Sequence, residues 1–403
     1  MESTKGEAML DGSVHPDYAD VAAALVRIIP KDNESGAAVC VYHQGSAVVD
    51  IWGGARGPQG EAWVAETTAP SFSTTKGVVS TLLHILVDKG KARYDDPVCE
   101  HWPEFAAHGK GNITIRHVLC HEAGLYRIDE MIDDPTEMLD WEHMKAVIAD
   151  AKPVHQPGEH HGYHALTYGW LMGGLIEAIG GKPLETLLQE ELVDPLQLDG
   201  MFIGMPHNEL YRRARLTNGK INPPAKREPW QDRLLALTEA ALSKLGIELA
   251  EFRSALMPFS EEFDWNDEAA VRAKIPAANG QFTARSLARM YAMLASGGTL
   301  DGVQVLSEKS VMALSSIQNN TRDKVLFLPM KWRLGYHRAF TLGARAPQAF
   351  GHYGYGGSGA FCDPQRDLAV ALTVNYGAGT PTGDTRMPRI ARAAIRAVDR
   401  LRG

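Results

Sequence analysis

The feature that most constrains this 403-residue chain is that both ends are written in the same grammar. Near the start, Ala37 to Tyr42 and Ala47 to Trp52 are short β-rich runs separated by Gln44-Gly45, a pair suited to a hairpin turn. Near the end, Trp332 to Arg338, Ala349 to Tyr353, Gly359 to Cys362 and Leu368 to Asn375 read as strands divided by Gly, Asp and Pro. Between them the spacing of apolar residues is helical, clearest at Lys76 to Lys89, Ile115 to Cys120, Thr167 to Ile179, Leu184 to Leu192 and Ala284 to Ala295. Helices also flank the strands, at 16–29 before Pro30 and from Pro388 to Leu401, the latter strongly basic. Strands cannot leave their edges unpaired, so the simplest assembly joins both ends in one antiparallel sheet covered by helices. On this reading, residues 1–72 and 285–403 form an α/β (α+β) sheet domain, and 73–284 form a mainly helical insertion. Residues 205–275 are charged and punctuated by aromatics, and read as long loops of that insertion with a lid as their candidate role.

Composition narrows the function. Hydrophobic residues make up 44% and charged residues 22%, the range of a globular protein with a substantial core. A net charge of −8 gives no global field that would attract nucleic acid or an anionic membrane surface. No apolar run approaches the ~20 residues of a bilayer span, and the N-terminal residues lack the apolar stretch of a secretory signal, so a cytoplasmic location is expected. Cys40, Cys99, Cys120 and Cys362 have no Cys-x-x-Cys spacing, which argues for reduced, mostly buried thiols rather than zinc or a disulfide framework. No cofactor is expected.

The chemistry concentrates in three segments. Ser73-Thr74-Thr75-Lys76 opens an apolar helix and places a hydroxyl and an amine three residues apart on one face, the layout of a serine nucleophile activated by lysine. It is the only Ser-x-x-Lys in the chain; taken alone, such a pair more often describes a helix-terminal serine beside a solvated lysine. Tyr163 follows Pro157-Gly158 in a loop that ends in a helix, and a phenol beside ammonium-like groups can lose its proton below its usual pKa of ~10, making it a base. The run 350–361 carries five glycines in strand context, so a ligand can approach the backbone, with an N–H there and that of Ser73 as oxyanion donors. His352 then lies near the cleft. His155, His160, His161 and His164 lack the spacing of a metal site and read as a solvated loop; no metal is assigned. Trp230, Phe259, Phe263 and Trp265 are candidates for an acyl pocket, and the acidic run 260–268 reads as surface.

Ser73-x-x-Lys76, Pro157-Gly158 followed by Tyr163, the run ITIRHVLCHEAGL at 113–125, and Gly351-His352-Tyr353-Gly354 stand in the order that resembles the class C β-lactamase and DD-peptidase superfamily. The runs at 162–171 and 278–291 look like the family VIII carboxylesterases. The resemblance covers roughly residues 15 to 400 and implies the β-lactamase/DD-peptidase fold. It implies Ser73 as nucleophile, Lys76 as its activating partner, Tyr163 as the group exchanging protons with Ser73 and the leaving alcohol, and the N–H groups of Ser73 and Tyr355 as the oxyanion hole. His352 and Gly354 fall at substrate-binding positions of the same strand. Two departures favour neutral esters over β-lactams. Where lactamases have Tyr-x-Asn, the chain has Tyr163-His164-Ala165 and loses an amide anchor. Where they have Lys-Thr-Gly, it has His352-Tyr353-Gly354 and exchanges a fixed cation for a mostly neutral imidazole. The expectation is a carboxylesterase for short to medium acyl esters with weak lactam hydrolysis. A lactamase or D-amino-acid peptidase and a non-enzymatic acyl sensor are the alternatives.

Overall fold

The structure is a computed structural model that describes residues 9–217, 249–256, 263–377 and 384–403. Its centre is a seven-stranded antiparallel sheet built from β1 (Leu10–Val14), β2 (Gly36–His43), β3 (Ser46–Gly54), β4 (His337–Arg338), β5 (Phe350–Tyr353), β6 (Gly359–Asp363) and β7 (Leu368–Val374), in the spatial order β1-β3-β2-β7-β6-β5-β4. The two ends of the chain meet where β2 pairs with β7, Val41 opposite Val370 and Val39 opposite Leu372. Gln44 and Gly45 both adopt positive φ, the geometry of a tight hairpin turn between β2 and β3.

Helices cover both faces. On one, α1 (Ala19–Ile28) and α5 (Arg386–Leu401) pack on each other and on the sheet, because Val21, Leu25 and Ile28 of the first and Met387, Ile390, Ala391, Ala394, Ile395 and Val398 of the second fall on single helical stripes. On the other, α4 (Ala284–Ala295) lies across β2, β6 and β7, while α2 (Thr74–Asp88) lies between β5 and α3 (Thr167–Gly180). Thirteen of the fifteen residues of α2 are buried, from Thr74 to Leu86, so this helix is enclosed on all sides.

The expected strand Trp332 to Arg338 is shortened to β4, two residues long. Trp332 instead makes an isolated bridge with Asn319 and turns its ring inward toward Tyr163, a use of an aromatic run that periodicity does not distinguish from a strand. The helix read over Leu184 to Leu192 divides into an α-helical Leu184–Leu188 and a π turn Gln189–Val193. Residues 205–275 include a short 3-10 turn (His207–Arg212) and helices at Leu249–Leu256 and Glu268–Arg272; residues 218–248 and 257–262 of the lid candidate, Trp230 and Phe259 included, lie outside the described residues.

Candidate active site

Three backbone segments converge at the start of α2. Phe72 takes a φ of 41°, a conformation that side-chain-bearing residues rarely adopt, immediately before Ser73. That turn is held from both sides: Ser71 N–H donates to Gly280 O at 2.9 Å, and Gly280 N–H returns a bond to Thr75 Oγ1 at 3.1 Å. From the opposite side, the end of β5 presses against the same turn. A Cβ on Gly354 would stand 2.2 Å from Ser71 O, so only glycine lets the two backbones come this close. Ser73 itself is half-buried, the most accessible of the residues from 71 to 76.

Around Ser73 Oγ the expected partners assemble. Lys76 Nζ is 3.1 Å away and the Tyr163 hydroxyl donates to Oγ at 2.7 Å. Lys76 is fully buried and has two further neighbours, Ala165 O at 2.6 Å and Ala277 O at 3.0 Å. Burial holds its amine well below the ordinary lysine value, because a charge removed from water without a counter-ion is costly. A neutral amine has two N–H bonds and one lone pair, and both carbonyls can only accept. As an ammonium the group donates to Ser73 Oγ as well; once neutral, it keeps its lone pair for the Ser73 hydroxyl.

Tyr163 behaves oppositely to the sequence expectation. Burial pushes its phenol up from the ordinary value, and the bond to Ser73 offsets this only in part. The lysine that approaches its ring is itself held well below the ordinary lysine value by burial, which weakens the positive charge a phenolate would need beside it. Burial thus moves the two groups in opposite directions, Lys76 toward releasing its proton and Tyr163 toward keeping its own.

The site is walled by rings. Trp332 lies parallel to Tyr163, 5.8 Å between centroids and 11° between planes; His121 approaches the tyrosine at 5.0 Å and His352 at 6.2 Å. His352 is 1% exposed, and burial holds its imidazole well below the ordinary histidine value. Its Nδ1–H points to Tyr353 O at 3.3 Å, leaving Nε2 as an acceptor without a protein partner. The N–H groups of Ser73 and Tyr355 have no acceptor among the described residues, and Phe72 and Tyr355 bring their rings to 5.6 Å.

These groups open onto a cavity of about 430 Å³ lined by Ser73, Tyr163, His352, Gly354 and Tyr355 together with Leu326, Leu328, Met330, Trp332, Phe340 and Leu342. The charged side chain in its lining is Asp384, which is paired with Arg386 at 3.0 Å; that guanidinium is further used by Tyr376 O and Gly356 O. The described lining thus offers no free cation.

Two expectations change. His161 and His164 are not solvated: both are buried, and His164 is locked by Leu125 N–H donating to Nε2 at 2.9 Å and by its own Nδ1–H donating to Gly162 O at 2.8 Å. His155 and His160 do lie nearer the surface. Phe263 and Trp265 are buried, with Trp265 edge-on to Phe72 at 5.4 Å, behind the turn that carries Ser73 rather than in the cavity lining. Sequence reasoning missed the carbonyls of Ala165 and Ala277, which no side-chain motif announces, and the ring of Trp332, whose only signal was a tryptophan opening a supposed strand.

Comparison with known proteins agrees with this geometry. Residues 22–395 match the family model described as Beta-lactamase. The chain is 37% identical over 368 residues to the esterase/beta-lactamase LipL of Mycobacterium tuberculosis, covering 90% of this chain and 82% of that protein. Among solved structures it is similar to a penicillin-binding protein homologue from Caulobacter crescentus (31% identity, TM-score 0.83, 96% of this chain and 100% of that one). A family VIII carboxylesterase is 29% identical, with a TM-score of 0.82 over 96% of this chain and 100% of the other. The chain belongs to the beta-lactamase family and is a serine hydrolase.

Proposed function

We propose that the protein is a carboxylesterase acting on neutral esters with short to medium acyl groups, with Ser73 as nucleophile. The observation that carries this reading is the hydrogen-bonded set of Ser73, Lys76 and Tyr163 opening onto an apolar cavity whose described lining holds no free cation. Lys76 takes the Ser73 proton as Oγ attacks the ester carbonyl, and the oxyanion is met by the N–H groups of Ser73 and Tyr355. Tyr163 protonates the departing alkoxide and regains a proton from Lys76, so both groups end the half-reaction as they began. Water then repeats the path and frees the acid. His352, Gly354 and the apolar wall receive the substrate; a lining that, among the described residues, has no free cation favours neutral esters over β-lactams and D-amino-acid peptides, whose carboxylates need one. The names of the similar proteins, an esterase/beta-lactamase and a family VIII carboxylesterase, support the same choice. A cytoplasmic setting belongs to this reading: all four cysteines are unpaired, and among the described residues no helix is long and apolar enough to cross a membrane.

The test is kcat/KM on a series of p-nitrophenyl acyl esters and on nitrocefin, for wild type and Ser73→Ala. The expected result is a maximum at short to medium acyl length, slow nitrocefin turnover, and a loss of about 10⁴-fold or more in the variant with an unchanged melting temperature. Nitrocefin turnover above that of every ester would establish the lactamase reading instead, and wild-type rates in Ser73→Ala would remove the serine from the mechanism.

A further inference from the structure

A carboxylate outside the serine, lysine and tyrosine set organises this site. Asp323 is fully buried, and its hydrogen-bond partners are all donors. Its Oδ1 accepts from the backbone N–H groups of Tyr163 at 3.2 Å, Val325 at 2.9 Å and Leu326 at 2.9 Å; its Oδ2 accepts from the indole Nε1–H of Trp332 at 3.1 Å. Each bond reaches a different part of the site. Tyr163 is held by its own backbone, the ring stacked behind it is held by its indole nitrogen, and Leu326 begins the apolar wall of the cavity. Trp332 also meets His121 at 4.4 Å, so the tyrosine ring is confined between groups that are themselves fixed.

Packing alone does not call for an acid here. A leucine would fill comparable space, but it would strand four N–H donors away from water, at about 1–3 kcal/mol each. A carboxylate with its lone pairs occupied by donors of fixed geometry is instead a rigid anchor. A phenol must stay within hydrogen-bond reach of the atom that receives its proton, and misplacement by ~1 Å can cost ~10² in rate.

We propose that Asp323 is a positioning residue for proton delivery by Tyr163: it ties the tyrosine backbone and the Trp332 ring to one point and so holds the phenol over Ser73 Oγ. The proposal rests on the reading above that Tyr163 protonates the leaving alcohol.

The test compares ethyl butyrate with p-nitrophenyl butyrate in the full-length protein. Both give the same acyl-enzyme, but ethoxide needs a proton in order to leave and p-nitrophenolate does not. The ratio of the two kcat/KM values is therefore independent of how much enzyme is folded. Asp323→Asn, which turns one acceptor oxygen into an amino group facing N–H donors, is expected to lower the ethyl ester rate about tenfold more than the p-nitrophenyl rate, a part of the ~10²–10⁴ that a correctly placed general acid contributes. Equal losses on the two esters would overturn the proposal, since a merely structural role reduces both alike. Should that variant not fold, Trp332→Phe keeps the stacked ring and drops a single bond; a discrimination of about threefold between the two esters is expected, and none would overturn the proposal. Tyr163→Phe serves as the reference. If it discriminates between the esters and Asp323→Asn does not, the anchor fails and the role of Tyr163 stands. If Tyr163→Phe does not discriminate, the role of Tyr163 fails and the anchor with it.

Discussion

On the side of the sheet covered by α1 and α5, the strands bury Val39, Val41, Phe361, Leu368, Val370 and Leu372. On the side covered by α2 and α4, the same strands turn Ala38, Cys40, Ala360, Cys362, Ala369 and Ala371 inward. The first face is filled by bulky apolar side chains meeting two amphipathic helices, and its stability comes from the area they remove from water. The second is lined by small residues, which lets helices approach closely, and the layer above it is rich in buried polar groups. Ser80 Oγ bonds Lys76 O at 2.6 Å and the Tyr168 hydroxyl at 2.8 Å, Thr81 meets the Tyr336 hydroxyl at 2.8 Å, and His84 Nε2 lies 3.0 Å from Leu334 O. One face holds the protein together. The other spends part of that stability on holding unprotonated or uncharged groups where water cannot reach them.

The sharpest break in this contrast is Lys76→Met. It removes the proton acceptor, so kcat/KM should fall by about 10³-fold, while the melting temperature should change little, because release of a buried amine offsets the loss of its bonds to Ala165 O and Ala277 O. Circular dichroism melts beside ester kinetics decide it; a large loss of stability would show that the lysine is structural. On the other face, Ile395→Ala in α5 should do the reverse, lowering stability by about 2–5 kcal/mol in urea titrations while kcat/KM of the folded protein stays within twofold of wild type. A comparable loss of activity would show that the two faces are mechanically coupled.

Acid should act through the polar face. Burial lowers His84 to about 4, His164 to about 3 and His337 to about 4, against 6.5 for an ordinary histidine. Between those values the unfolded chain binds protons that the folded chain refuses, so stability is fully present above about 6.5 and declines as the pH falls toward 4. Urea midpoints at pH 7 and pH 5 should show that decline, and Ile395→Ala should lower both without changing their difference. A pH-independent midpoint would contradict the burial of these rings.

The sequence was most legible where the physics is local. The β2–β3 hairpin, α2, α3, α4 and α5 were placed within a few residues because their apolar periods and turn residues stand in the sequence itself. The segment Leu10–Val14 was not recognised as a strand, since it exposes its central three residues and exists by pairing with β3. In the site, Ser73, Lys76 and Tyr163 were found through motifs, and their proximity was expected. The proton affinity of Tyr163 was misjudged, because burial by segments distant in sequence raises it. His161 and His164 looked solvated for the same reason: their burial is supplied by segments distant in sequence. Asp323 carries no motif at all, and its role emerges only when Tyr163, Leu326 and Trp332 are brought around it.

The pairing of β2 with β7 also sets a schedule for synthesis. The apolar edge of β2, from Ala37 to Tyr42, is completed by a strand near the far end of the chain. At ~5–20 residues per second on the ribosome, that edge waits tens of seconds for its partner. During that interval an unpaired, uncharged strand is the kind of surface to which other nascent chains adhere. Yield on expression should thus respond to the speed of translation and to chaperones more than the stability of the finished fold would suggest.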